Sequence, residues 1–396
     1  MQLKIKIYRG THQIGGCITE ITTEKTRIII DFGTVLPYRN GKMPKENLVI
    51  EGVTYIGHRN CDGILFTHYH GDHTGLLDKA IKGIPMYMGK AAKKIFLLSQ
   101  AHKNSDSVAR IEQIREYEDG KSFSIGDIKI TPILTDHSAF DAYMLLIEAD
   151  GKQVLHTGDF RTHGVKGEMV IPRLAKLRGL VDVMITEGTN LSYTNPVVTS
   201  EYLLAEAAET LMERYPYVFV MCGATDIDRL AAFHKASERK NLFLCDAYQM
   251  SLLETAAEYG AALTDFYRFD RTRVYFEEME GVKDGFCMAV RNEKDFSEIM
   301  KPYREKHNEQ TLIIYAMSEG YLSKHHQAIE KLTSGFRYII KLHTSGHASE
   351  EAIWAAANTV SAKKIIPIHT ENPEKIRLGA LQDRVVFLED DEEFNV

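Results

Sequence analysis

The sequence predicts an α/β protein in two parts, and three observations carry that prediction. The N-terminal region alternates apolar and polar residues in short β-like runs. From about Val181 the texture changes to strands alternating with amphipathic helices, the pattern of a doubly wound parallel sheet. Between them lies Thr67-His68-Tyr69-His70-Gly71-Asp72-His73, set where an apolar run ends and a helix is expected to begin. At 396 residues the chain is long enough for two domains, or for one domain with a large insertion.

Taken in order, Lys4–Tyr8, Cys17–Thr22 and Arg27–Asp31 read as strands, separated by Gly15-Gly16 and by the polar Thr23–Thr26. Gly63–Phe66 reads as a short buried strand, and Gly75-Leu76-Leu77 as the start of a helix. A strand near Met86–Met88 is followed by helical stretches at Ala91–His102 and Ser107–Tyr117. Strands return at Ser122–Ile125, Ile128–Leu134, Tyr143–Glu148 and Gln153–His156, the last two joined by a turn at Gly151-Lys152. In the alternating region the expected strands are Val181–Thr186, Tyr217–Met221, Asn241–Cys245 and Thr311–Met317. The helices there are Ser200–Arg214, capped by Thr199 or Ser200, then Ile227–Arg239 and Gln249–Tyr259. Phe266–Val282 shows no period. A helix at Glu350–Val360, strands at Lys364–Ile368 and Arg384–Leu388, and an acidic run Glu389–Glu393 read as solvated surface complete the chain.

Composition narrows the function classes. Hydrophobic residues make up 44% and charged residues 26%, the balance of a soluble globular protein. No apolar run approaches the roughly 20 residues of a membrane helix, and the N-terminus lacks the apolar core of a signal peptide. The cysteines (Cys17, Cys61, Cys222, Cys245, Cys287) are scattered, with no Cys-x-x-Cys pair, which fits core positions in a reducing cytoplasm. A net charge of −7 provides no global basic field, which argues against an indiscriminate polyanion binder but not against a nuclease with local positive charge.

The chemistry is concentrated in His68, His70, Asp72 and His73, three imidazoles and a carboxylate within six consecutive positions. Strand ends and helix starts are rigid supports, and one tetrahedral ion rarely takes four donors from a single loop. The spacing therefore suggests two adjacent metals completed from elsewhere. Further donors stand where strands are expected to end: Asp136-His137-Ser138, His156-Thr157-Gly158-Asp159 and Pro367-Ile368-His369.

In this order the motifs resemble the metallo-β-lactamase superfamily, with its His-x-His-x-Asp-His, lone His, Gly-Asp and late His. The match extends into the β-CASP group, through Thr186-Glu187-Gly188, Ser345-Gly346-His347-Ala348 and Pro367-Ile368-His369, and within that group is closest to ribonuclease J-like enzymes. The resemblance implies a metallo-β-lactamase αββα sandwich with an inserted Rossmann-like domain: residues 1–195 as the first part, 196–337 as the insertion, 338–396 as the return. It implies one ion on His68, His70 and His137, a second on Asp72, His73 and His369, and Asp159 bridging both. It places His347 toward the scissile phosphate and Glu187 as its orienter, with Asp31 as a structural hydrogen-bond hub. The last motif departs from the family's usual His-Gly-Glu, reading His369-Thr370-Glu371, and the family's C-terminal domain is not expected here.

Two divalent ions, zinc by donor type and manganese as the alternative, suit phosphodiester hydrolysis. Ser345, Gly346 and Ser349 flank His347 before a helix start and read as a phosphate seat, with Ser138 and His343 beside it. Arg161 and His163 are expected to line the cleft or lie on the surface. Arg229, Lys235, Arg239 and Lys240 are read as a solvated helix face, with RNA tracking as the alternative. The leading expectation is a cytoplasmic ribonuclease, cutting internally or from the 5′ end, with single-stranded RNA as substrate, no membrane partner, and homo-oligomer formation open. The alternatives are a DNA nuclease of the same fold, a small-ester or lactone hydrolase, and a non-catalytic RNA-binding protein.

Overall fold

A computed structural model describes the chain except for residues 1–2, 38–41, 43, 55–56, 241, 277–278, 280–281 and 319–326. The chain divides into two compact units: Met1–Tyr38, Met43–Pro196 and Gly346–Val396 form the first, and Arg39–Lys42 with Val197–Ser345 the second.

The first unit is built on two mixed sheets. One orders its strands Glu393–Asn395, Lys4–Arg9, Ile18–Thr22, Arg27–Ile30, Gly63–Leu65, Met86–Gly89 and Arg115–Tyr117. The other runs Lys364–Ile368, Val183–Glu187, Lys152–His156, Tyr143–Ala149, Ile128–Leu134 and Phe123–Ile125. Alternation in Lys4–Arg9 puts Ile5 and Ile7 inside and the lysines outside. Those isoleucines share one core with Ile21, Ile28, Ile130, Val154, Val183 and Ile366, so the two sheets pack face to face. Met184, Leu155 and Ile365 point the other way, into a second core closed by the helices Gly167–Ala175 and Glu350–Val360. The helix Lys90–His102 packs its Ala91, Ala92, Ile95 and Phe96 face beside Met86–Gly89 and Arg115–Tyr117. The order is helix, sheet, sheet, helix, the αββα sandwich expected.

The second unit carries a parallel sheet in the order Thr272–Val274, Phe243–Cys245, Phe286–Val290, Tyr217–Met221, Thr311–Tyr315 and Tyr338–Lys341. Its central strands are buried throughout, as parallel strands flanked by helices must be. The first helix, Glu201–Met212, is capped by Ser200, whose hydroxyl accepts from Leu203 N at 3.1 Å. Among the described residues no helix is long and apolar enough to cross a membrane.

Several local expectations change. The sheet extends the second unit to Ser345, past the expected 337, because Tyr338–Lys341 adds an edge strand to Thr311–Tyr315. Phe286–Val290, unread in the sequence, is a central strand. The helix expected at Ser107–Tyr117 stops at Glu112, and Arg115–Tyr117 joins the first sheet. The turn between Tyr143–Ala149 and Lys152–His156 is Asp150-Gly151, with Lys152 already paired to Ala149. The last strand is not Arg384–Leu388 but Glu393–Asn395, which begins at the final residue of the acidic run. It survives there because Lys4 and Lys6 on the neighbouring strand neutralise it: Lys4 Nζ lies 2.7 Å from Glu393 and Lys6 Nζ 3.2 Å from Asp391. Asn241, the first residue of one expected strand, lies outside the described residues.

Candidate metal centre

The ligands come together because neighbouring strands of one sheet end level with one another. His156 is in register with Ile185, and Glu187 with Ile368, so the segments that follow these strands emerge at one edge. Asp159, Glu187 and His369 arrive that way. From the other sheet, Gly63–Leu65 leads into Thr67, whose N donates to Asp31 Oδ1 at 2.7 Å. The chain then makes a one-turn helix, Gly71–Thr74, starting earlier than the expected Gly75 and carrying Asp72 and His73. His369 sits in the left-handed region at φ 57°, its N held by Gly10 O at 2.7 Å.

All seven expected ligands converge. The ligand atoms of His68, His70 and His137 lie within 4.8 Å of one another, with His137 Nε2 3.2 Å from His70 Nδ1. Opposite them, His73 Nε2 and His369 Nε2 are 3.3 Å apart, and Asp72 Oδ2 is 3.3 Å from His369 Nε2. Asp159 Oδ2 lies between the groups, 3.1 Å from His73, 3.6 Å from His369, 3.8 Å from His68 and 3.9 Å from His137. Donors about 2.0–2.2 Å from a tetrahedral ion stand about 3.3–3.6 Å apart, and the observed spacings of 3.1–3.9 Å bracket that range.

Four of the five rings are aimed by what the other nitrogen meets. His73 Nδ1 is 2.8 Å from Asp31 Oδ2, His369 Nδ1 2.7 Å from Thr189 Oγ1, His137 Nδ1 2.7 Å from Gly346 O, and His68 Nδ1 3.0 Å from Thr67 Oγ1. Fixing Nδ1 fixes the tautomer and directs Nε2 inward. His68 Nε2 is fully buried with no hydrogen-bond partner, and an orphaned buried nitrogen facing other lone pairs is what a cation resolves. The residues present fit a pair of divalent ions.

The electrostatics agree. Burial, then the neighbouring imidazoles, push His68 well below its ordinary range; burial alone leads at His137, and His70 falls to about 4. At His73 burial opposes the cation but Asp159, Asp31 and Asp72 overcome it, raising the pKa well above the usual histidine value. Burial works against ionisation of Asp159, yet His369, His73 and His347 hold it well below the carboxylate range. His68, His70 and His137 are thus kept neutral and Asp159 charged, the states a metal requires, while His73 holds a proton that a bound ion would displace.

Beside it stands a histidine held by a carboxylate. His347 Nδ1 is 3.2 Å from Glu187 Oε2 and 3.6 Å from Asp159 Oδ2. Burial disfavours its protonation, but Glu187 and Asp159 outweigh that and raise it to about 9. Glu187 is itself fixed: Oε1 accepts from Phe160 N at 2.9 Å and Ala348 N at 3.3 Å, and Oε2 from Thr189 N at 3.2 Å.

The expected phosphate seat fares differently. Ser349 Oγ caps the helix Glu350–Val360, accepting from Ala352 N at 3.1 Å. Ser345 N donates to Val197 O within the second unit, and Ala348 N is taken by Glu187. His343 also belongs to the second unit, 3.2 Å from Arg229 and 3.3 Å from Ala316 O. Gly346 adjoins the centre through His137, and a Cβ on it would collide with Ser138. Arg161 neither lines a cleft nor lies on the surface; it is fully buried, 3.5 Å from Asp136. Cys17, read as a core residue, has its sulfur within 4.8 Å of a ligand nitrogen of His73 and of His369. Thr67 and Thr189, which aim two ligand rings, carried no signal in the sequence.

Comparison with known proteins agrees with this geometry. Residues 43–221 match the model of a β-lactamase superfamily domain. Ribonuclease J of Mycoplasma pneumoniae is 21% identical over 93% of this chain and 68% of its own length. The chain is thus similar to the metallo-β-lactamase superfamily, and over most of its length to ribonuclease J. Ribonuclease J of Helicobacter pylori is 22% identical over 100% of this chain, which spans only 61% of that superfamily member. A solved structure, a protein of unknown function from Enterococcus faecalis V583, shares the fold over 100% of both chains, with a TM-score of 0.77 and 18% identity.

Proposed function

We propose that this chain is a metal-dependent ribonuclease that hydrolyses RNA phosphodiester bonds at a two-ion centre, in RNA processing or decay. The observation carrying this reading is the convergence of His68, His73, His137 and His369 within 3.9 Å of Asp159 Oδ2, with the orphaned His68 Nε2 among them. The substrate class comes from relatives named ribonuclease J that align with nearly all of the chain. His68, His70 and His137 would hold one ion, Asp72, His73 and His369 the other, with Asp159 shared. When bound, such ions supply Lewis acidity, making water a stronger acid and offsetting phosphate charge. Imidazole and carboxylate donors suit zinc, and manganese is the second candidate.

The remaining steps fall to the chain's own side chains. Asp31, Thr189, Thr67 and Gly346 hold four imidazoles so that no reorganisation is needed when substrate arrives. Glu187, pinned by three backbone amides, favours the imidazolium of His347 and keeps its ring beside Asp159. His347 Nε2 is then the atom from which a proton passes to the leaving oxygen. The decisive experiment incubates the purified chain with 5′-labelled, monophosphorylated RNA, with and without chelator. Cleavage should vanish on chelation and return with zinc or manganese. Metal-loaded protein that leaves RNA intact while opening a lactone or small ester overturns the reading.

A further inference from the structure

Asp72 is held differently from the four imidazoles that are tied through Nδ1. The rings of His68, His73, His137 and His369 each have a second atom tied to the scaffold, whereas among the described residues Asp72 Oδ2 meets only other ligands, His369 at 3.3 Å and His73 at 3.9 Å. Its side chain is 14% exposed, against 0–2% for His68, His73, His137, His369 and Asp159. What locates it is backbone. Cys17 N donates to Asp72 O at 3.2 Å. A Cβ on Gly15 would stand 2.8 Å from Asp72 Oδ2, and one on Gly33 would run into Asp72 O. Gly15-Gly16 and Gly33 are therefore two walls against which Asp72 rests.

Both walls are fastened by one side chain. Arg9 Nε donates to Gly16 O at 2.8 Å and Arg9 Nη2 to Gly33 O at 2.6 Å. Arg9 Nη1 reaches both oxygens of Glu46, at 3.0 and 3.1 Å. Burying an arginine to this degree, 10% side-chain exposure, is costly unless its donors are filled and its charge is met. Here the fork is filled by the two carbonyls that border Asp72, and Glu46 supplies the countercharge. Arg27, on a neighbouring strand, also meets a carboxylate, but its other partners are Glu51 O, Asn60 O and Tyr8, away from every ligand.

We infer that Arg9 is a positioning residue for Asp72, and through it for the ion held by Asp72, His73 and His369, an inference that rests on the two-ion reading. It follows that the two ions respond unequally to Arg9: the pocket of His68, His70 and His137 does not depend on the Gly15-Gly16 turn.

Stepwise zinc titration of metal-stripped protein by calorimetry, with metal content after gel filtration, tests this on the wild type, Arg9→Met, Arg9→Lys and Glu46→Gln, with Arg27→Met as control. In Arg9→Met one ion should bind about 10–100-fold more weakly, the usual cost of losing a supporting contact, while the other keeps its wild-type affinity. Arg9→Lys and Glu46→Gln, gentler changes that preserve the fold should Arg9→Met not, are expected to weaken the same ion to a lesser degree, and Arg27→Met neither ion. Two ions retained at wild-type affinity in folded Arg9 variants, or both weakened equally, overturn the role given to Arg9. Wild-type protein that binds fewer than two ions overturns the two-ion reading itself.

Discussion

Two of the buried polar clusters among the described residues are built on opposite rules. In the second unit Arg229 is fully enclosed, with Glu201 Oε2 at 2.8 Å from Nε and Oε1 at 3.0 Å from Nη2, while Ala316 O and Thr344 O accept at 2.8 and 3.0 Å. Donors face acceptors, charges cancel, and the network closes on itself. In the first unit imidazole nitrogens face one another and a carboxylate at 3.1–3.9 Å, and one of them, His68 Nε2, has no hydrogen-bond partner. A structural cluster satisfies its groups internally; a binding centre satisfies only the outward side of each ring and leaves the inward side to a ligand.

That contrast can be broken most sharply at Asp159. Asp159→Ala should lower RNA cleavage on the order of 10⁴-fold, the scale for removing the hub of a cooperating set, with loss of bound metal and a native circular dichroism spectrum. Retained activity would mean the carboxylate is no hub. At Arg229 the damage should be to stability instead. Arg229→Met strands Glu201 in the interior and is expected to cost about 3–5 kcal/mol in chemical denaturation. The double variant Arg229→Met/Glu201→Leu should recover much of this, and a double variant as unstable as the single one would show that the pair is more than a closed network.

Smaller effects sharpen the comparison. His347→Ala should reduce turnover by roughly 10²–10⁴-fold, as for loss of an acid–base group, while metal content by plasma emission stays at the wild-type level; stripped metal would make His347 a ligand. Thr189→Val frees the His369 ring and should weaken one ion by about 10–100-fold, read by zinc titration. The mildest effect concerns pH. Burial, then Arg271, pushes His234 down to about 4, and burial, then Arg229, does the same to His343. Both are neutral in the fold but take up protons near 6.5 when unfolded. Their contribution to stability is therefore full above about pH 6.5 and lost as pH falls toward 4. Denaturation midpoints at pH 7.5 and 5 should differ less in His234→Gln than in the wild type, and an unchanged difference counts against this assignment.

The centre was legible in the sequence because its donors stand in short groups at strand ends, where chain order and spatial order coincide. His68 to His73 needed one turn of helix to converge, and strands in register brought Asp159 and His369 alongside. What escaped depended on partners distant in sequence. Arg229 looked like a solvated charge because nothing local marks Glu201 as its mate, and Arg161 looked like a cleft or surface residue because nothing local marks Asp136. The strand Phe286–Val290 reads Phe-Cys-Met-Ala-Val, poor in β-branched residues, and only its two parallel neighbours make it a strand. Glu393–Asn395 was hidden by its charge until Lys4 and Lys6 were found across from it.

His369 has a temporal consequence. It is the last donor to be synthesised, following the whole second unit, and without it the Asp72–His73 pocket lacks a wall. A nascent chain still tethered to the ribosome would therefore carry an incomplete cage while ribosomal and messenger RNA lie within reach. Filling of that pocket, and any chemistry that depends on it, would wait until His369 has been made.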